Sequence, residues 1–199
     1  MNRTLKKFKK GFTLIEIMVS VSIFAFMTAL LVAKYGNFNQ SVLLTNLAYD
    51  IGLTIRTAQT YGLSVRRLES GAAPFQYAYG VHISNNSNEK QQMIFFADIS
   101  PDNVYTVSDF VVSTYAIKRG AVISGVCVVK GSSCVAGNGT LDITFKRPDP
   151  EALIYFTSSN GVPDINNPYT YAKITVQGVD GGIREVVVNS IGQVSVVGQ

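Results

Sequence analysis

The sequence predicts an α+β protein, a long N-terminal helix packed on an antiparallel β-sheet or β-sandwich. Three observations carry this expectation. No proline precedes Pro74, and residues 12–62 are either continuously apolar or apolar at three- and four-residue steps. From Pro74 onward the period falls to two, and β-branched and aromatic residues alternate with polar ones. Clusters of Asn, Asp and Gly separate those runs as turns do. One helix followed by many short strands buries its apolar face against a sheet.

The chain opens with a basic leader, residues 1–11. It carries Arg3, Lys6, Lys7, Lys9 and Lys10 and no acid, and it ends in Gly11. The run from Phe12 to Ala33 follows with Glu16 as its only charge. At about 1.5 Å per residue it spans roughly 33 Å, enough to cross a hydrocarbon core of about 30 Å. Lys34 and Tyr35 mark the far interface. Positive charge before an apolar span holds that end in the cytoplasm. The expected topology is therefore single-pass in the cytoplasmic (inner) membrane, with everything after about residue 35 outside. Ser22, Ala25, Ala29 and Ala33 recur at helical steps, as in a close-packing face or as alanines fall in any apolar span.

Residues 34–62 continue the helix. Gly36-Asn37-Phe38-Asn39 is a weak point rather than a stop. Beyond it Leu44, Leu47, Ala48, Ile51, Ile55 and Ala58 form one apolar face. Asn46, Asp50, Arg56, Thr57, Gln59 and Thr60 take the other side, and the helix ends near Gly62.

Residues 63–199 make the β-rich domain. Predicted strands are Gln76–Ser84, Gln92–Ala97, Tyr105–Lys118, Ala121–Val129, Thr140–Phe145, Ala152–Thr157, Ala172–Gly178, Ile183–Asn189 and Gln193–Val197. Asn85-Asn86-Ser87-Asn88, Asn160-Gly161 and Asp180-Gly181-Gly182 are the hairpin turns. Arg147-Pro148-Asp149-Pro150-Glu151 is a stiff charged connector, either a loop or a contact with a neighbouring subunit.

The formal charge is +4, but the leader holds five of the 17 basic residues. From Phe12 onward 17 − 5 = 12 basic residues face 13 acidic ones, net −1. The basic balance therefore gives no argument for nucleic-acid binding. Cys127 and Cys134 lie outside the membrane in the expected topology, where an oxidising compartment permits a disulfide. A turn at Lys130-Gly131 would pair Val129 with Ser132, Val128 with Ser133 and Cys127 with Cys134. The alternative is two free thiols in a small apolar cluster.

Catalytic chemistry has little to stand on. His82 is the one histidine, in an alternating run with Tyr79, Val81 and Ile83, and is expected to face solvent. No Gly-x-Ser-x-Gly elbow, zinc spacing or phosphate-cradling glycine loop occurs. One metal candidate stands out: Asp98, Ser100, Asp102 and Asp109 fall at positions 1, 3, 5 and 12 of a calcium-loop pattern, with the Val104 carbonyl at position 7. Against it, Asn103 replaces the usual glycine, Pro101 stiffens the loop, Asp109 is shorter than glutamate, and the flanks are strands. An Asp-rich turn bonding its own backbone has the same residues. No other cofactor is implied.

Three readings compete for the N-terminus. A secretory signal cut after its apolar core would use Leu31-Val32-Ala33, whose leucine is too large for the outer small position. A plain anchor leaves Glu16 unexplained. The third is cleavage before the helix. Lys10-Gly11-Phe12-Thr13-Leu14-Ile15-Glu16, after a basic leader and before a long apolar helix, resembles the prepilin-peptidase site of type IV pilins and type II secretion pseudopilins. The resemblance implies cleavage of Gly11–Phe12, N-methylation of Phe12, and a Glu16 that meets the new amine of a neighbouring subunit. It also implies the partners: the peptidase, other pilin or pseudopilin subunits, an inner-membrane assembly platform driven by a cytoplasmic ATPase, and lipid before assembly. DNA-uptake pilins occur in the wider family, so nucleic acid stays an open partner. Residues 46–65 and 172–196 resemble the second half of the helix and the closing strands of H-type minor pseudopilins and related minor pilins. The expected function is thus a structural subunit, not an enzyme. The alternative is an anchored extracellular binding module, such as a calcium-dependent adhesin, with no assembly role.

Overall fold

The computed structural model describes residues 11–68, 76–131, 133–159, 161 and 169–198, with residues 34–39 as helix backbone alone. The basic leader up to Lys10, the side chains of residues 34–39 and Asn160 of one predicted turn lie outside the described residues. The chain divides into two units, Met1–Asn39 and Gln40–Gln199.

Helix α1 runs Leu14–Leu63. In the first unit its segment Leu14–Ala33 is apolar all round, with none of it buried within the chain. The helix starts two residues later than the apolar run because Thr13 is its N-cap. Hydroxyls in this segment bond their own helix: Ser20 Oγ donates to the Glu16 carbonyl at 2.7 Å, Ser22 Oγ to Val19 at 2.8 Å, and Thr28 Oγ1 to Phe24 and Ala25 at 3.0 Å. None of these three hydroxyls is left unsatisfied in lipid, and Glu16 is the one side chain of the segment with a charge to be met.

The second unit holds the rest of α1 and ten strands among the described residues: β1 (Ala78–Ser84), β2 (Gln92–Asp98), β3 (Phe110–Ala116), β4 (Val122–Lys130), β5 (Ser133–Gly137), β6 (Gly139–Phe145), β7 (Leu153–Ser158), β8 (Tyr171–Gln177), β9 (Ile183–Asn189) and β10 (Val194–Gly198). They form two five-stranded sheets, β3-β2-β1-β6-β7 and β10-β9-β8-β4-β5. Every neighbouring pair is antiparallel. The α+β expectation holds.

One core joins the helix and both sheets. Leu44, Leu47, Ala48, Ile51, Ile55 and Ala58 meet Val81, Ile83, Met93, Leu141, Ile143 and Phe145 of the first sheet and Val126, Val128, Ile174, Val176, Val186 and Val188 of the second. The polar side of the helix is tied down as well. Tyr115 Oη donates to Asp50 at 2.7 Å, Arg56 Nη2 to the Val194 carbonyl at 3.0 Å, and Gln59 Nε2 to Pro150 of the 147–151 connector at 3.0 Å. Gly62 is required where the helix end crosses β6: a Cβ there would overlap the Phe145 carbonyl.

Four expectations change. The strand expected at Tyr105–Lys118 begins only at Phe110, because residues 99–109 leave the sheet and fold over the outer face of β1 and β6. His82 is 9% exposed rather than solvent-facing. Alternation does put it opposite Val81 and Ile83, but that second face lies beneath Tyr105, whose ring centroid is 4.8 Å from the imidazole. Strand β5 is additional. The β4–β5 hairpin pairs Lys130 with Ser133 and Val129 with Cys134, one residue off the expected register, and Cys127 faces Ala136. Gly131 takes φ 67°, the left-handed conformation that suits the first position of a two-residue turn. Cys127 and Cys134 are therefore diagonal neighbours on one face, and the disulfide joins them across a Cα separation of 5.9 Å.

Candidate functional site

Gly11, Phe12 and Thr13 precede the helix without regular structure, and all three are exposed. A protease needs a peptide free of helical hydrogen bonds, and the Gly11–Phe12 bond meets that condition. Around Gly11 the space a side chain would fill is open to 4 Å. Phe12 is 78% exposed.

Thr13 then sets the helix start. The backbone N–H of Glu16 donates to Thr13 Oγ1 at 3.3 Å and to its carbonyl at 3.1 Å, and the Ile17 N–H reaches the same carbonyl at 3.2 Å. Thr-x-x-Glu is the capping-box order, with the acid in the first helical turn. A carboxylate there offsets the partial positive charge of the helix end. Sequence reasoning overlooked Thr13, although its spacing to Glu16 was the available signal.

The acidic candidates do come together. One carboxylate oxygen each from Asp98, Asp102 and Asp109 lies within 4.8 Å of the others. Asp98 ends β2 with 2% exposure, and its Oδ2 accepts the Asn103 N–H at 3.0 Å while Oδ1 accepts nothing. Asn103 has φ 62°, which turns its N–H inward. Asp109 is the loop's anchor. Its Oδ1 accepts from the N–H groups of Ile99 and Ser100 and from Ser100 Oγ, and its Oδ2 from Thr106 N–H and Oγ1. Ser100 is thereby turned toward Asp109. Burial pushes Asp98 up to about 7, and the neighbouring carboxylates of Asp109 and Asp102 add to this against the N–H groups of Asn103 and Asp102.

Beneath the same loop His82 Nδ1 meets Asp142 Oδ1 at 2.7 Å, and the Tyr105 N–H donates to that oxygen at 3.2 Å. Burial holds Asp142 above the usual carboxylate range, against the pull of His82. The pair joins neighbouring positions of β1 and β6, and Tyr105, bonded to Asp142 and stacked on His82, ties the loop to the sheet. Neither Asp142 nor Tyr105 was singled out from sequence, because their meeting depends on how the β2–β3 loop folds back over the sheet.

The family described as the prokaryotic N-terminal methylation motif matches residues 6–32. No curated protein and no solved structure matches the chain. The matched stretch contains Gly11, Phe12, the Thr13 cap, Glu16 and most of the apolar helix segment. The chain thus bears the prokaryotic N-terminal methylation motif.

Proposed function

We infer that this chain is a structural subunit of a type IV pilus or type II secretion pseudopilus, made as a membrane-held precursor, cut after Gly11 and methylated on Phe12. The observation that supports it most is an exposed, non-helical Gly11–Phe12 bond directly before a capped apolar helix, inside the matched motif. The resemblance of residues 46–65 and 172–196 to H-type sequences favours a minor subunit over the shaft's main component.

Physical chemistry gives the processing a purpose. Cleavage leaves an ammonium on Phe12, next to a helix end that already carries about half a positive charge. The chain's own Glu16 in the first turn already answers the helix end, so the new ammonium is left calling for a second acid. Glu16 of a neighbouring subunit answers the need. Opposite charges ~4 Å apart attract by about 4 kcal/mol at an effective dielectric near 20, before desolvation is subtracted. An ionised acid in a span costs roughly 2.5–3.5 kcal/mol at mid-helix and less near its end. A pair with this balance selects one axial register more than it adds stability. The bare apolar surface of Leu14–Ala33 passes from lipid to a helix bundle of similar polarity, so directional assembly needs an external motor.

The test is incorporation. Glu16→Ala is expected to insert in the membrane and to be lost from sheared filaments when co-expressed with its assembly system. Incorporation at the unmodified level would end the role given to Glu16. Low abundance of the unmodified chain relative to the shaft subunit is the outcome expected of a minor component.

A further inference from the structure

We propose that the loop between β2 and β3 is a calcium-class cation site built on Asp98 and Asp102, with Asp109 supplying charge and holding the loop in shape. This goes beyond the subunit reading and stands without it. An acidic cluster alone is common on protein surfaces. The added observation is the Asp98 side chain, 2% exposed, whose Oδ1 has no hydrogen-bond partner. A buried carboxylate oxygen left without a donor is costly, and a cation is one of the few groups that satisfies it together with its neighbours.

The carboxylate donors favour a hard ion, and the bound on their separation admits calcium. Calcium sits about 2.3–2.6 Å from oxygen ligands, so two oxygens on one ion can be nearly 5 Å apart, whereas magnesium at about 2.1 Å draws them within about 4.2 Å. The three carboxylate oxygens lie within 4.8 Å of one another. Asp109 already accepts five hydrogen bonds, so Asp98 and Asp102 are the direct ligands. Asp102 is exposed, with only Oδ1 engaged, by the Val104 N–H at 3.2 Å. Lys146 and Arg147 border the same cleft as Asp98 and weaken its negative field. The affinity is accordingly that of weak extracellular calcium modules, Kd on the order of 10⁻⁴–10⁻³ M.

The full chain, chelator-treated in non-ionic detergent, is titrated with calcium chloride and with magnesium chloride by calorimetry and by thermal unfolding. Calcium should give a saturable heat in that affinity range and raise Tm by about 4–8 °C at roughly 10 mM. Magnesium should bind at least about tenfold more weakly. Asp102→Asn keeps the oxygen that accepts from Val104 and should lose calcium affinity about tenfold, with its calcium-free Tm unchanged. Asp98→Asn is the second variant and should lose binding altogether. No calcium heat with no Tm shift, magnesium binding as tightly as calcium, or undiminished binding by either variant would overturn the site.

Discussion

The Glu16 N–H donates to Thr13 Oγ1 at 3.3 Å, so the residue assigned to assembly also closes the first turn of its own helix. The two roles separate by mutation. Thr13→Ala removes the cap and costs the helix end about 1 kcal/mol, while leaving the Glu16 charge in place. Glu16→Gln leaves the cap and removes the charge. Filament incorporation should survive the first change and fail with the second. The reverse pattern in a sheared-filament assay would show that assembly depends on the Thr13 cap and not on the Glu16 charge.

At the other end of α1, Gly62 lies against the Phe145 carbonyl of β6. Gly62→Ala should destabilise the chain by about 1–3 kcal/mol, because a backbone rather than a flexible side chain must yield. Thermal unfolding in detergent checks this. Gly11→Ala has open space around it and should leave Tm unchanged, though it alters the processing site.

His82→Ala leaves Asp142, fully buried, with the Tyr105 N–H as its remaining donor at Oδ1. The expected loss is about 2–4 kcal/mol. His82→Ala combined with Asp142→Ala should cost less than the sum of the single changes, because neither partner is then stranded. Additivity in denaturant unfolding would show that the pair is not coupled.

The Tyr115 phenol is pushed up to about 12 by burial and then by its hydrogen bond to Asp50. A raised value means the folded chain keeps this proton longer than the unfolded chain, which releases it near 10.0. The contribution is complete below about pH 10 and is lost as pH rises toward 12. The Tm gap between the unmodified chain and Tyr115→Phe should therefore close over that window. A gap independent of pH would locate the effect in packing.

Local pattern made most of this fold legible. The helix faces of Leu44 to Ala58 and the alternation of strands such as Ile183–Asn189 are set by neighbours in the chain, and both lie where expected. What was missed depends on distant contacts. Ser133–Gly137 is short and exposed throughout, and only its pairing with β4 makes it a strand. Tyr105 looked like a strand residue because large aromatic side chains favour strands, yet it covers His82. That cover in turn buries the histidine that alternation had placed outside. At the candidate sites the spacing of Asp98, Asp102 and Asp109 was visible, and their convergence required the loop. Glu16 was legible as a charge out of place, while its capping partner Thr13 was not noticed.

The most direct measurement is the intact mass and N-terminal sequence of the protein recovered from cells that express its prepilin peptidase. A chain that begins at Phe12 with a methyl group on its amine is the result expected here. A chain that still carries residues 1–11, beside other precursors that have lost their leaders, would contradict it.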